Sequence, residues 1–294
     1  MNLFSIIEEI EKVDPEFNDR ISPRRDAIKN ITSFGSKVAL AAVPFALGSM
    51  FKKAYGQTAS ASVISVLNFA LTLEIIESTF YKTGTGTSGL VTDTSYLAQI
   101  NNDEANHVAF LTSTITAAGG TPVTASEFSY VDFTGGANKG GGPFSDVFTN
   151  YQTFLAVAET FEDTGVRAYK GQAPNLLGNQ TYLTAALDIH AVEARHASAI
   201  RYLRFKNYGV DIYPWITSSA TVGNDTGIAA VDANYAGATP ENTTTAGGVN
   251  LLTLPSVESS SSTSVGVATG AFDEPLTMTE VLAILSPAFV SFAS

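Results

Sequence analysis

The sequence predicts a mainly α protein built on a four-helix bundle with one long crossover. Three observations predict it. Apolar residues recur at helical spacing in four long stretches between about residues 59 and 208; a glutamate sits on the apolar face of each; and a glycine-rich segment divides the four into two pairs. The bundle is flanked by residues 1–58, a signal-like or helical segment, and by residues 209–294, an irregular Ser/Thr/Gly-rich extension that ends in a short helix packed on the bundle.

Composition narrows the chemistry. With 294 residues, 45% of them hydrophobic and 15% charged, the chain can bury a sizeable core. A net charge of -12, with 16 basic residues scattered along the chain, repels a phosphate backbone, so no nucleic-acid partner is expected. The absence of cysteine excludes disulfides, thiolate metal sites and a cysteine nucleophile. Any metal must therefore be held by carboxylates and imidazoles.

The first predicted helix carries Val63, Val66, Leu67, Ala70 and Leu71, continues through Glu74, Glu77 and Tyr81, and breaks at Gly84 and Gly86. The second, about residues 95–118, places Leu97, Ile100, Glu104, His107 and Leu111 on one stripe, and Gly119 and Gly120 stop it. Residues 119–142 are the crossover, with the weakly strand-like FSYVDF inside it. The third helix, after Pro143, carries Phe148, Tyr151, Leu155, Glu159, Glu162, Val166 and Tyr169; the fourth carries Leu183, Ala186, His190, Glu193, Ala197, Ile200 and Leu203.

Carboxylates on apolar stripes are costly unless paired or metal-bound. Here they also repeat. Glu74 and Glu162 are each followed seven residues later by Tyr-Lys (Tyr81-Lys82, Tyr169-Lys170), and each is followed 30 or 31 residues later by a glutamate with histidine three positions on, Glu104 and His107, then Glu193 and His196. The chain has only three histidines, and this pattern uses two of them. The two halves match as helix pairs.

A glutamate on each of two helices with Glu-x-x-His on each of the other two resembles the ligand set of ferritin-like di-iron and di-manganese carboxylate proteins. The stretches ALTLEIIESTFY and FDEPLTMTEVLAI are similar to the bacterial ferritin-like family known as desiccation-related proteins. The helical part of this resemblance covers about 150 residues. It implies metal ligation by Glu74, Glu104, His107, Glu162, Glu193 and His196, with two iron or manganese ions as cofactors and oxygen or peroxide as reaction partner. Glu77, Glu159, His190 and Asp103 are candidates to orient the imidazoles or to act as alternate ligands, against the plainer reading of solvated or hydrogen-bonded residues. Tyr81 and Tyr169 are placed to donate to ligating carboxylates or to pack in the core.

Two functional classes follow. One is a redox protein with oxidase, peroxidase or catalase-like chemistry in stress protection; the other is a structural or surface-interaction protein that uses the bundle as a scaffold. In the N-terminal segment, Arg24-Arg25-Asp26-Ala27-Ile28-Lys29 is similar to a twin-arginine export pattern, the uncharged run from Val38 to Phe51 suits its apolar region, and Ala54-Tyr55-Gly56 suits a cleavage site. Export to the periplasm or envelope is expected, with an uncleaved helix in a cytoplasmic protein as the alternative; membrane association through this segment and homo-oligomer formation are compatible with either. In the C-terminal extension, residues 275–289 have the spacing of a short helix docking on the bundle.

Overall fold

The computed structural model describes residues 59–210, 212–216, 234–235, 239–254, 264–286 and 288–292. The export-like segment lies outside the described residues. The four predicted helices are α1 (Ala61–Gly86), α2 (Thr94–Ala117), α3 (Tyr151–Gln172) and α4 (Gln180–Tyr208). Polar side chains start three of them: Ser60, Asn150 and Asn179 each accept a backbone N–H of the first turn. Gly209, at φ 64°, ends α4 in the left-handed conformation that an L side chain resists. Asn150 also corrects the predicted start of α3. Phe148 belongs to the turn before the helix, because the chain from Phe144 to Asn150 closes on its own carbonyls.

Short turns join α1 to α2 and α3 to α4, and the members of each pair pack along their lengths, with α1 also meeting α3. The pairs are antiparallel: Ala59 N–H, just before α1, donates to Ala118 C=O, just after α2, at 3.1 Å. Asp93 ties three helices together at one end. Its carboxylate accepts from Lys206 Nζ at 2.8 Å and Asn207 Nδ2 at 2.6 Å on α4, and from the Tyr151 hydroxyl of α3 at 3.2 Å. Between the pairs runs the crossover, in which β1 (Phe128–Val131) is the predicted weak strand.

The C-terminal extension does not stand apart from the bundle. Its described part contains the hairpin β2 (Thr245–Ala246) and β3 (Val249–Asn250), two short helices, α5 (Ser264–Thr269) and α6 (Met278–Leu285), and β4 (Val290–Phe292), which pairs antiparallel with β1 of the crossover. Helix α6 docks on α3 as its apolar spacing predicts, started by a capping box in which Thr277 and Glu280 satisfy each other's backbone N–H. The FDEPLT segment lies against α3: Leu276 N–H donates to Arg167 C=O at 3.0 Å, and Lys170 Nζ donates to Asp273 C=O.

Two apolar blocks fill the bundle. One gathers Phe80, Phe154, Phe161, Leu97, Ile200 and Leu203 with Val281 and Phe289 of the extension; the other gathers Val63, Leu67, Leu71, Leu111, Ile115 and Ile189. The six sequence-predicted ligands occupy the middle of the helices, between these blocks. That placement sets their chemistry.

Candidate metal centre

Each helix contributes from its midpoint: Glu74 from α1, Glu104 and His107 from α2, Glu162 from α3, Glu193 and His196 from α4. The four carboxylates are fully buried and the two imidazoles nearly so. Residues three apart on a helix share a face, so one turn of α2 and one turn of α4 each deliver a carboxylate and an imidazole inward. His107 Nδ1 lies 3.1 Å from Glu74, 3.4 Å from Glu104 and 3.3 Å from Glu193. His196 Nδ1 lies 2.8 Å from Glu104 and 3.4 Å from Glu162.

These atoms form two groups. Glu74, Glu104, His107 and Glu193 bring one donor atom each to within 4.8 Å of one another; so do Glu104, Glu162, Glu193 and His196. Glu104 and Glu193 belong to both. Few of the donors are engaged in hydrogen bonds. Both oxygens of Glu104, both of Glu193, Glu162 Oε2 and His196 Nδ1 are buried and make no well-aligned hydrogen bond; what they face is ion pairing with the two imidazoles. Groups left so at a buried site cost stability unless a cation takes their lone pairs. The donor set, hard carboxylates with one imidazole per group, fits iron or manganese.

Electrostatics gives the same account. Burial, and then the charges of neighbouring glutamates, push the Glu193 carboxyl well above its ordinary range and raise Glu104 to about 7. Both histidines are held protonated: burial opposes their charge, but the surrounding carboxylates overcome it. Glu74, despite burial, falls below its usual value because His107 bonds to it. Without cations, then, protons neutralise the layer.

The candidate helper residues divide. Tyr81 of α1 donates to Glu162 Oε1 at 2.5 Å, and Tyr169 of α3 donates to Glu74 Oε1, so each tyrosine reaches across to the other half's glutamate. Burial, then the charge of the partner glutamate, keeps both phenols protonated. Asp103 meets His196 Nε2 at 3.2 Å, which fixes the ring with Nδ1 facing the carboxylates. Glu77 is buried beside the centre, where burial and the neighbouring glutamates hold its carboxyl neutral. It shares with Glu193 the space left by Gly165: a Cβ there would sit 3.3 Å from Glu193 Oε2 and 3.5 Å from Glu77 Oε1.

Two candidates lie elsewhere. Glu159 faces cations, with Arg204 NH1 at 2.6 Å and Arg201 NH2 at 3.5 Å, so its charge is met by guanidinium and not by the centre. His190 is half-buried against α3, hydrogen-bonded to the Val166 backbone and near Asp273 and Lys170. Sequence reasoning missed the ion network that takes Glu159: Asp163 is buried against Arg201 and accepts from the Tyr235 hydroxyl at 2.6 Å. It also missed Arg167, fully buried, whose Nε lies 2.6 Å from Glu241 and donates to Glu274 C=O at 2.7 Å. A signal existed for Arg204, which lies on the buried stripe of α4 that runs through Glu193, Ala197 and Ile200.

The ferritin-like domain model matches residues 62–206, which runs from the start of α1 to the last turn of α4. Residues 62–206 belong to the ferritin-like domain family. No curated protein and no solved structure gives a significant match. The ferritin-like domain here thus carries a buried carboxylate and histidine cluster able to hold metal ions.

Proposed function

We propose that this ferritin-like protein holds two divalent ions, iron or manganese, and uses them on oxygen or peroxide. The observation that carries the reading is the pair of four-donor groups that share Glu104 and Glu193. Glu74 and His107 would hold one ion and Glu162 and His196 the other, with Glu104 and Glu193 within reach of both. Two divalent charges would balance the four carboxylates, and the protons that neutralise the layer would be given up on binding. Such a pair supplies one-electron redox chemistry at two adjacent centres.

The chain's own residues prepare the site. Tyr81 and Tyr169 hold one oxygen of Glu162 and Glu74 and leave the other for a cation. Asp103 holds the His196 proton at Nε2, so that Nδ1 presents its lone pair. The apolar blocks above and below keep bulk water from the layer, which strengthens every charge interaction inside it. A protective role against oxidative or drying stress in the cell envelope is part of the proposal; it draws on the Arg24-Arg25 pattern and on the likeness of FDEPLT to desiccation-related proteins.

The test is elemental analysis of protein prepared with iron and manganese both available, beside the Glu104→Gln/Glu193→Gln variant. About two ions per chain, lost in the variant, is the expected result. Metal content that is unchanged in the variant removes the proposed centre.

A further inference from the structure

The end of the bundle where α4 stops carries aromatic side chains that the core does not use. Of the eight exposed aromatic side chains among the described residues, six come from the first turn of α2 and from residues 202–215: Tyr96, Tyr202, Phe205, Tyr208, Tyr213 and Trp215. Each is between 39% and 58% exposed. The outward face of a surface helix is ordinarily polar, yet α4 places Tyr202, Phe205 and Tyr208 there at three-residue steps, while Leu203 and Arg204 turn inward. The six rings together show roughly 600 Å² of surface, the upper end of what a monomer displays and often a functional patch.

The rings are fixed before anything binds. Tyr96 of α2 and Tyr202 of α4 have ring centroids 6.3 Å apart, and Tyr208 packs on Tyr151, whose hydroxyl Asp93 holds. Gly209 turns the chain back, so that Tyr213 C=O lies 3.5 Å from NH1 of Arg201, the residue before Tyr202. Tyr213 then stacks on Trp215 at 5.4 Å and 15°. Gly270 of the extension lets the edge of the indole come in close: a Cβ there would sit 2.7 Å from Trp215 Nε1. Rings held in place lose little freedom on binding.

Charge and hydrogen bonding select the occupant. Lys206, within electrostatic reach of Tyr96 and Tyr202, is paired with Asp93 at 2.8 Å, so its charge is already met. An anionic partner gains nothing from it and is repelled by a chain of net charge -12. A dry apolar partner fails for a second reason. The hydroxyls of Tyr96, Tyr202, Tyr208 and Tyr213 have no hydrogen-bond partner among the described residues, and covering them with hydrocarbon would take away their water and return nothing. A sugar answers both requirements. A pyranose is neutral, lays a face of C–H bonds on an aromatic ring, and carries hydroxyls at its rim that pair with phenols. Tyr202 to Tyr208 spans about 9 Å of helix, and the Tyr213–Trp215 pair extends the surface, so several linked sugars fit where one would leave rings uncovered.

We propose that this aromatic end of the bundle is a binding surface for a chain of neutral sugars, with Tyr202, Phe205 and Trp215 as stacking rings and the phenol hydroxyls as its hydrogen-bonding rim. The site is independent of the acidic layer and of its reading as a metal centre.

The test is calorimetric titration of the full chain with three neutral hexasaccharides, cellohexaose, maltohexaose and chitohexaose, up to millimolar concentration. At least one should bind, and the emission of Trp215, the one tryptophan of the chain, should move to shorter wavelength as the sugar covers it. Tyr202→Ser and Trp215→Ser should each weaken binding about tenfold, with Phe205→Ser in place of either variant that melts early. Leu177→Ser, at the opposite end of the bundle where Leu177 is 72% exposed, should leave affinity unchanged. No heat with any of the three sugars overturns the proposal, and so does binding that the aromatic variants retain. Sedimentation showing a dimer that Tyr202→Ser dissociates and the hexasaccharides do not would assign the surface to a second copy of this chain, and overturns it likewise.

Discussion

The Tyr81 hydroxyl on α1 donates to Glu162 Oε1 on α3 at 2.5 Å, and the same bond is made in reverse from α3 to α1 by Tyr169 and Glu74. The Glu-x6-Tyr unit is thus read across the bundle, not along its own helix. Seven residues is two helical turns, so the tyrosine lies on its glutamate's face but too far along to reach it; the repeated partner on the facing helix is within reach. This exchange locks the two duplicated halves together at the centre.

Replacing either tyrosine with phenylalanine should therefore cost about 1–3 kcal/mol of stability, the penalty of a buried acceptor left without its donor. Tyr81→Phe and Tyr169→Phe should lower the urea midpoint by similar amounts. A pair of variants as stable as the parent would show that the bonds across the bundle do not hold it.

The sharing of Glu104 and Glu193 makes a prediction about stoichiometry. Glu162→Gln should weaken one ion and leave the other, whereas Glu104→Gln should weaken both. Asp103 adds an asymmetry. It orients His196, and the aligned position on α4 is Val192, so His107 has no equivalent acid. Asp103→Asn should lower affinity at the His196 side about 10- to 100-fold and spare the His107 side. Calorimetric titration with manganese separates these cases, and equal weakening of both sites by Glu162→Gln would contradict the bridged arrangement.

Most of this centre was legible in the sequence because helical periodicity alone puts Glu74, Glu104, Glu162 and Glu193 on inward faces, and the plus-three histidines follow them. Periodicity fails for Glu159 and His190 for a physical reason. Both lie on the same stripes, but what a side chain meets depends on partners far along the chain: Arg204 lies 45 residues from Glu159, and Asp273 belongs to the extension. The packing of that extension was partly legible, in the amphipathic spacing of α6. The buried bonds of Arg167 to Asn234, Thr239 and Glu274 were not, since backbone carbonyls are recognised by no side-chain pattern.

The proton content of the layer fixes a pH dependence. Glu104 titrates at about 7 in the folded chain against an ordinary value of 4.5, with burial as the main cause; Glu193 is also raised, as are both histidines. Groups with raised folded values bind more protons folded than unfolded. Their stabilisation is complete below the unfolded value and is lost as pH rises through the folded one. His190, lowered by burial, works the other way, as do Glu74 and Asp103, which their histidine partners lower despite burial; the two acids act at more acid pH. Metal-free protein should thus melt at a lower temperature at pH 8 than at pH 5.5. Loaded protein should reverse the order, because metal affinity rises as the ligands lose protons. Melting scans at the two pH values, with and without manganese, decide it.

Asp163 and Glu159 share Arg201 in a fully buried network that Tyr235 joins from the extension. Removing one partner strands charge in the core. Arg201→Met should cost about 3–5 kcal/mol, read as a fall in the urea midpoint. A further Asp163→Asn change should recover part of the loss because it removes the stranded charge. A double variant no more stable than Arg201→Met would mean that packing, not charge, sets the cost.

The close fit of the FDEPLT segment against α3 depends on Gly171. A Cβ at this position would lie 1.9 Å from Leu276 C=O, and the obstacle is backbone that hydrogen-bonds one turn earlier, from Leu276 N–H to Arg167 C=O. It cannot swing aside as a side chain would. Gly171→Ala gains helix propensity of about 1 kcal/mol, yet it must push the segment off and so break that bond and loosen the docking of α6. The clash should win. Amide hydrogen exchange between Leu276 and Leu285 should rise at least tenfold in the variant, with the amides of α1 and α2 unchanged. Slower exchange throughout, the signature of propensity alone, would show that the segment accommodates the methyl group.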